Sequence, residues 1–319
     1  MSQPMDRKLA LEAVRVTEAA AIAASHQIGR GDERAADHAA VEEMRSALNG
    51  LSIDGTVVIG EGERDEAPML FIGERVGLGG VEVDIALDPL EGTTLTAKAL
   101  ANALTVIAIA EKGSLLNAPD TYMDKIAIGP GFPEGVIDLD AEPGDNVLAL
   151  ARAKGVKPAE ITACILDRPR HAAIIESVRL AGAAVRLITD GDIAGVIATS
   201  DPATGVDLYV GQGGAPEGVL AAAALRCVGG QIQTRLVFRS DEERQRAARL
   251  GITDLKRKYL LHDLAGGDVV FAATGVTDGS MLEGVHWQGE FVTTSSILMR
   301  SGTRTVRWIR ARHRRGHGG

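Results

Sequence analysis

The chain has 319 residues, 45% of them hydrophobic and only 3% aromatic, with two cysteines and a formal net charge of −9. That supports one large domain or two closely joined subdomains, and its wealth of small and β-branched residues suits layered α/β packing better than a β-sandwich. The acidic balance argues against a nucleic-acid partner, and the absence of a long uncharged apolar span argues against a signal peptide or membrane helix, so a cytoplasmic protein is expected.

Leu9, Val16, Ala20 and Ala23 recur at helical spacing and predict a helix over 7–28, stopped by IGRGD. A second helix is expected from about Ala36 to Leu48. TVVIG then reads as a short buried strand that delivers Glu61. VEVDIALD alternates as a strand, with Pro89 expected to end its ladder. Thr93 or Thr94 is a candidate cap for a helix through about Leu100, and ALTVIAIA is a further strand. DAEPGDN marks a candidate subdomain junction, dividing the chain into halves of about 1–145 and about 146–319.

From residue 160 the rhythm is regular. Strands at ITACILD, AVRLITD and GVDLYVG alternate with helices at 170–181, 192–199 and 216–228, the pattern of an open, mostly parallel sheet. Later strands are expected at 231–238, 268–274 and 303–311. Cys164 and Cys227 lie in apolar surroundings and read as buried thiols rather than a disulfide. Arg300–Gly319 holds seven arginines and no acid, and its alternation reads as a terminal strand before a frayed end.

In open α/β sheets ligands gather beyond the carboxyl ends of strands. Five predicted strands are followed by GEGERDE, DPLEGTT, DRPRH, DGD and QGGAPEG, and five such loops imply one shared site. Glu61, Asp88, Glu91 and Glu217 lie at those ends. Oxygen ligands without Cys or His suit Mg²⁺ or Mn²⁺. Each acid alone is equally an ordinary helix cap: Glu217 follows Pro216 at a helix start, and Asp37 alone would pass as solvated. Arg168 and Arg170 flank Pro169 at a strand-to-helix turn, where guanidinium forks and helix N–H groups bind phosphate. The glycines of GGAPEG let backbone amides approach a ligand. GxxxxGK[ST], GxGxxG and HExxH are all absent. Carboxylates for metal with arginines and amides for phosphate therefore point to hydrolysis of a phosphate ester by metal-activated water.

DPLEGTT resembles the signature of the metal-dependent, lithium-sensitive phosphatases, the superfamily of inositol monophosphatase. RGDERAAD, IDGTVVIGEGERDEAPML, DPLEGTT, ANAL, NAPDTYMDKIAIGPG, ILDRPRH, TDGD, GGAPEG and ATGVTDG, in that order along nearly the whole chain, resemble class II fructose-1,6-bisphosphatase. The resemblance implies a layered α-β-α-β-α sugar-phosphatase fold and hydrolysis of the 1-phosphate of fructose 1,6-bisphosphate in gluconeogenesis. It implies Mn²⁺ or Mg²⁺ held by Asp37, Glu61, Asp88, Glu91 and Glu217. Thr93 would polarise the attacking water with Asp65 as an assisting base, and Glu91 belongs to the catalytic set as well. Glu91, Gly92, Thr93, Tyr122, Arg168, Pro169, Arg170, Asp190, Gly191, Asp192 and Gly214 would contact the sugar bisphosphate. Mutual repulsion suits Asp190 and Asp192 to sugar hydroxyls rather than to phosphate. A homodimer or homotetramer is implied.

One position departs from that pattern. The family usually has Lys after RGD, and this chain has Glu33 followed by Arg34. Either Arg34 supplies the positive charge, or Glu33 points to solvent, or activity or metal preference is altered. The alternatives are a dual enzyme that also takes sedoheptulose 1,7-bisphosphate, an inositol or nucleotide phosphatase, and a sugar-phosphate-binding regulatory protein whose catalysis Glu33 weakens.

Overall fold

A computed structural model describes residues 7–62 and 69–314. The chain begins with α1 (Arg7–Ser25), α2 (Glu33–Asn49), β1 (Ile53–Ile59), β2 (Arg75–Val76), β3 (Val81–Glu91), α3 (Thr93–Ala97) and β4 (Leu104–Glu111). It continues with β5 (Tyr122–Ile128), α4 (Pro143–Lys154), β6 (Thr162–Leu166), α5 (Ala172–Leu180), β7 (Ala184–Ile188), α6 (Asp192–Ala198) and β8 (Leu208–Gly214). Then come α7 (Ala215–Val228), β9 (Gln231–Val237), α8 (Asp241–Arg249), β10 (Tyr259–Leu260) and α9 (Leu261–Leu264). It closes with β11 (Val269–Gly275), β12 (His286–Gln288), β13 (Phe291–Arg300) and β14 (Thr305–Arg314).

Contacts divide the chain into Met1–Leu115 with Gly267–Gly319, and Leu116–Gly266. This differs from a single break near 145. The reason is sheet pairing: β11 lies antiparallel to β4, with Val270 opposite Ile109, so the last strands complete a sheet begun by the first.

In the first unit the strand order is β12-β13-β11-β4-β3-β1-β2, with β14 also paired to β13. Only β1 and β3 pair in parallel, and the other pairings are antiparallel. The apolar stripes of α1 and α2 pack on this sheet, where Val16, Ala20, Met44 and Leu48 join Ile85, Leu87, Ile107 and Val270 in one core. Pro89 does not end β3. The strand runs on to Glu91, and its register with β4 shifts between Asp88 and Glu91. Proline has no N–H for a ladder, so a bulge is the place a strand can hold it. The cap of α3 also differs from expectation, because Gly92 rather than a threonine holds that position.

In the second unit the order is β10-β9-β5-β8-β6-β7. β6, β7 and β8 are parallel. β5 runs antiparallel to both of its neighbours, β8 and β9, and β10 runs antiparallel to β9. The βα rhythm from residue 160 thus keeps β9 in the direction of β8, while β5 enters from upstream and separates them. Lys125 hides β5 in the sequence by breaking its apolar pattern. Apolar residues of α4 and α5 pack with those of β5, β6 and β8 in one core, and α6 and α7 also contact this sheet. Helix α4 begins at Pro143, inside the segment expected to be a junction. Both units are sheets layered with helices, the mixed α/β class expected. Cys164 and Cys227 are buried and unlinked. Among the described residues no helix is long and apolar enough to cross a membrane.

Candidate active site

The parallel pairing of β1 and β3 sends Glu61 and the Asp88–Glu91 stretch off the same sheet edge. Asp88 folds onto its own backbone, its Oδ1 accepting the Leu90 N–H at 3.0 Å across Pro89. Glu91 is buried at 5% exposure. Gly92 follows with φ 89°, a conformation that favours glycine, and a Cβ there would also press on the Leu95 side chain at 2.8 Å. Its carbonyl accepts from the Thr96 N–H at 3.0 Å, which turns the chain into α3 with Thr93 as the first helical residue. Asp37 lies on α2, which packs against β3 and α3.

The electrostatics of these acids are unusual. Burial, then the charges of Asp37 and Asp88, push the Glu61 carboxyl up to about 8. Burial also raises Asp37, against the opposing influence of His38. A carboxylate whose proton affinity is raised by burial and by two neighbouring acids meets the electrostatic condition for a cation. The donors of these acids are all oxygen, so the residues fit hard Mg²⁺ or Mn²⁺. Among the described residues no three ligating side chains close into a coordination shell by themselves. Asp65 lies outside the described residues.

Glu33 has a definite place. It opens α2, capped by Asp32, whose Oδ1 accepts the Ala35 N–H at 3.0 Å. The Glu33 carboxylate accepts the Thr94 hydroxyl at 2.8 Å. The loop before it is tied to α3 too, since Gly29 N–H donates to Thr96 O and Gly31 N–H to Ala97 O, each at 2.9 Å. Glu33 is therefore an exposed residue with a fixed partner rather than a charge released to solvent. Arg34 is exposed and, among the described residues, forms no ion pair.

In the second unit, Tyr122 opens β5 between Gly214 of β8 and Val237 of β9. Arg168, Pro169 and Arg170 form the turn after β6. Arg168 Nη1 donates to Asp167 O at 3.1 Å, and Arg170 Nη2 donates to Gln212 O at 2.8 Å. The Arg170 guanidinium lies 4.9 Å from the Tyr122 ring centre, within cation–π range. Asp190 Oδ1 accepts the Gly191 N–H at 3.1 Å, and Gly191 caps α6. Glu217 lies in the first turn of α7, and its carboxylate lies so close to Gly214 that a Cβ there would collide with it.

Four side chains of this unit lie outside the candidate site residues read from the sequence. Lys125, fully buried, donates from Nζ to Asp192 Oδ2 at 2.5 Å, so one oxygen of Asp192 is committed to an internal ion pair. A lysine on an inward position of an alternating strand is the sequence clue to such a pair. His171 Nε2 accepts the Gln212 N–H at 2.9 Å, so Nδ1 carries the proton and donates to Leu166 O at 2.7 Å. Burial, the leading influence, lowers its proton affinity and keeps it neutral. This histidine locks the arginine turn to β8. Arg239 stands 4.1 Å from the Tyr122 ring centre, and Glu243 holds Arg239. Arg239 follows β9, whose carboxyl end lies at the same edge as that of β8, so extending the strand-end rule to 231–238 finds it.

Residues 7–313 match the family of bacterial, glpX-encoded fructose-1,6-bisphosphatases. The chain is 48% identical over 323 aligned residues to fructose-1,6-bisphosphatase 1 class 2 of Escherichia coli K12, covering 97% of this chain and 96% of the relative. It matches the class 2 fructose-1,6-bisphosphatases of Escherichia coli O6:H1 and Shigella flexneri with the same identity and coverage. With the ordered motifs and the acid-bearing strand edge of the first unit, this full-length similarity shows that the chain belongs to the class II, glpX-encoded fructose-1,6-bisphosphatase family.

Proposed function

We propose that this protein hydrolyses the 1-phosphate of fructose 1,6-bisphosphate, releasing fructose 6-phosphate and inorganic phosphate as a step of gluconeogenesis. The observation that carries the reading is the gathering of Asp37 and Asp88 close enough to Glu61 to raise its proton affinity, at a strand edge that runs directly into Gly92 and Thr93. In our reading Asp37, Glu61, Asp88, Glu91 and Glu217 hold Mn²⁺ or Mg²⁺. Bound divalent ions would supply charge for the phosphate and lower the pKa of a water.

The chain's own residues do the rest. The Thr93 hydroxyl orients the attacking water, and Asp65 accepts its proton. The Gly92 backbone leaves room for the scissile phosphate. Arg168 and Arg170, with the turn around Pro169, hold the phosphate that stays on the sugar, since both guanidiniums lack a carboxylate partner among the described residues. Tyr122, Asp190, Gly191, Asp192 and Gly214 frame the sugar. A cytoplasmic homodimer or homotetramer is the corresponding assembly.

A phosphate-release panel tests the reading. Fructose 1,6-bisphosphate, sedoheptulose 1,7-bisphosphate, inositol 1-phosphate and nucleoside monophosphates are compared with Mg²⁺, Mn²⁺ or chelator. The highest kcat/KM should fall on a sugar bisphosphate and vanish in chelator. Preference for inositol phosphate, or full activity without metal, overturns it.

A further inference from the structure

We propose that Arg239 is a third guanidinium of the subsite for the non-reacting phosphate, a role that rests on the functional reading above. Tyr122 organises this corner. Its backbone pairs with Gly214 on one side and with Val237 on the other, so the ends of β8 and β9 converge on it. Its ring lies within cation–π range of two arginines, Arg170 at 4.9 Å and Arg239 at 4.1 Å. Two guanidiniums held against one ring repel each other unless an anion joins them.

Glu243 fixes how Arg239 is presented. Its carboxylate accepts the Arg239 backbone N–H at 2.6 Å, Nη2 at 3.1 Å and Nε at 3.3 Å. Thr121, the residue before Tyr122, donates its hydroxyl to the same carboxylate at 3.0 Å. Glu243 therefore grips one edge of the fork. Among the described residues the remaining amino group, Nη1, has no hydrogen-bond partner. Charge gives the same result. Arg168 and Arg170 flank the turn on one side of Tyr122 with their bonds to backbone carbonyls, and Arg239 on the other side is paired with Glu243. A phosphate dianion balances the remainder and takes bidentate donors in the geometry that guanidinium provides.

The test compares R239A and R239K with the unaltered protein. Arg239 has 58% of its side chain exposed, so the fold should survive, and melting temperature checks this. Binding of fructose 6-phosphate, measured by titration calorimetry, should weaken roughly 10- to 100-fold in R239A and less in R239K, as for loss of one charge-assisted contact. KM for fructose 1,6-bisphosphate should rise in parallel while kcat stays within about threefold, because the contact is remote from the scissile bond. Turnover of fructose 1-phosphate, which lacks the second phosphate, should change less than about twofold. Unchanged fructose 6-phosphate affinity, or an equal loss on both substrates, overturns the role of Arg239. An unaltered protein inactive on the bisphosphate overturns the functional reading instead, and the calorimetry still decides whether Arg239 binds sugar phosphate.

Discussion

The Thr94 hydroxyl donates to the Glu33 carboxylate at 2.8 Å, joining the first turn of α2 to the helix that begins at Thr93. The bond and the charge of Glu33 act separately and can be separated by mutation. E33Q keeps an acceptor for Thr94 and removes the charge. Its melting temperature should move by less than about 2 °C, and kcat/KM for an anionic sugar bisphosphate should rise about two- to fivefold at low salt, converging with the unaltered protein at high salt. T94V keeps the charge and removes the bond, so stability should fall by about 0.5–1.5 kcal/mol with little change in salt dependence. Kinetics over a salt series with thermal melts reads both. A salt-independent rise in E33Q sinks the charge explanation.

Metal dependence gives the second prediction. Chelator should abolish phosphate release, and Mn²⁺ or Mg²⁺ should restore it. E91Q should lose at least about 100-fold in kcat, since it removes a negative ligand at the centre of the acid-bearing edge. Retention of most activity in E91Q would exclude that assignment.

The metal-free protein should also show a distinctive pH response. Glu61 is held at about 8 against an ordinary 4.5, because burial and two neighbouring acids oppose its charge. The folded form therefore binds this proton more tightly than the unfolded form. The stabilisation is complete below about pH 4.5 and is lost as pH rises through about 8, by an amount on the order of a few kcal/mol. In chelator, melting temperature should fall between about pH 4.5 and about pH 8 and level off above that. E61Q should flatten that fall, as should saturating Mn²⁺ at the alkaline end. An identical slope in E61Q would rule out Glu61 as its source.

Lys125 and Asp192 form a buried pair, exposed by 0% and 7% respectively. Removing one partner strands the other charge, so K125M should lose about 3–5 kcal/mol in urea unfolding. The K125M/D192N double variant should recover part of that loss, because a neutral amide replaces the stranded carboxylate. Additive losses in the two single variants would show that the pair does not act as a unit.

Much of the fold is legible in the order of residues alone. The β6–α5–β7–α6–β8–α7–β9 run stands out because each segment holds its period and each boundary carries Gly, Pro or a capping residue. Strand β5 does not, since Lys125 interrupts its apolar face and its partners β8 and β9 lie far downstream. Helix α8 is equally hidden. Asp241–Arg249 is almost wholly polar and holds only Ala247 in the core, so its evidence is the Ser240 cap rather than a hydrophobic stripe.

The chemistry of the parts is written in residue types and their order. Oxygen-only acids, an arginine turn and glycine-rich strand ends point to hydrolysis of a phosphate ester by metal-activated water, and the sugar substrate comes from the resemblance of the ordered motifs to class II fructose-1,6-bisphosphatase. Which side chains commit their charge to one another is a property of the folded chain. Lys125 occupies an oxygen of Asp192, Glu33 holds Thr94, and Glu243 aims Arg239 at the ring of Tyr122. Lys125 and Asp192 lie 67 residues apart, Glu33 and Thr94 61, and Glu243 and its other partner Thr121 122. No local period or motif encodes such a separation. It follows from strand order, which places the ends of β5, β8 and β9 side by side.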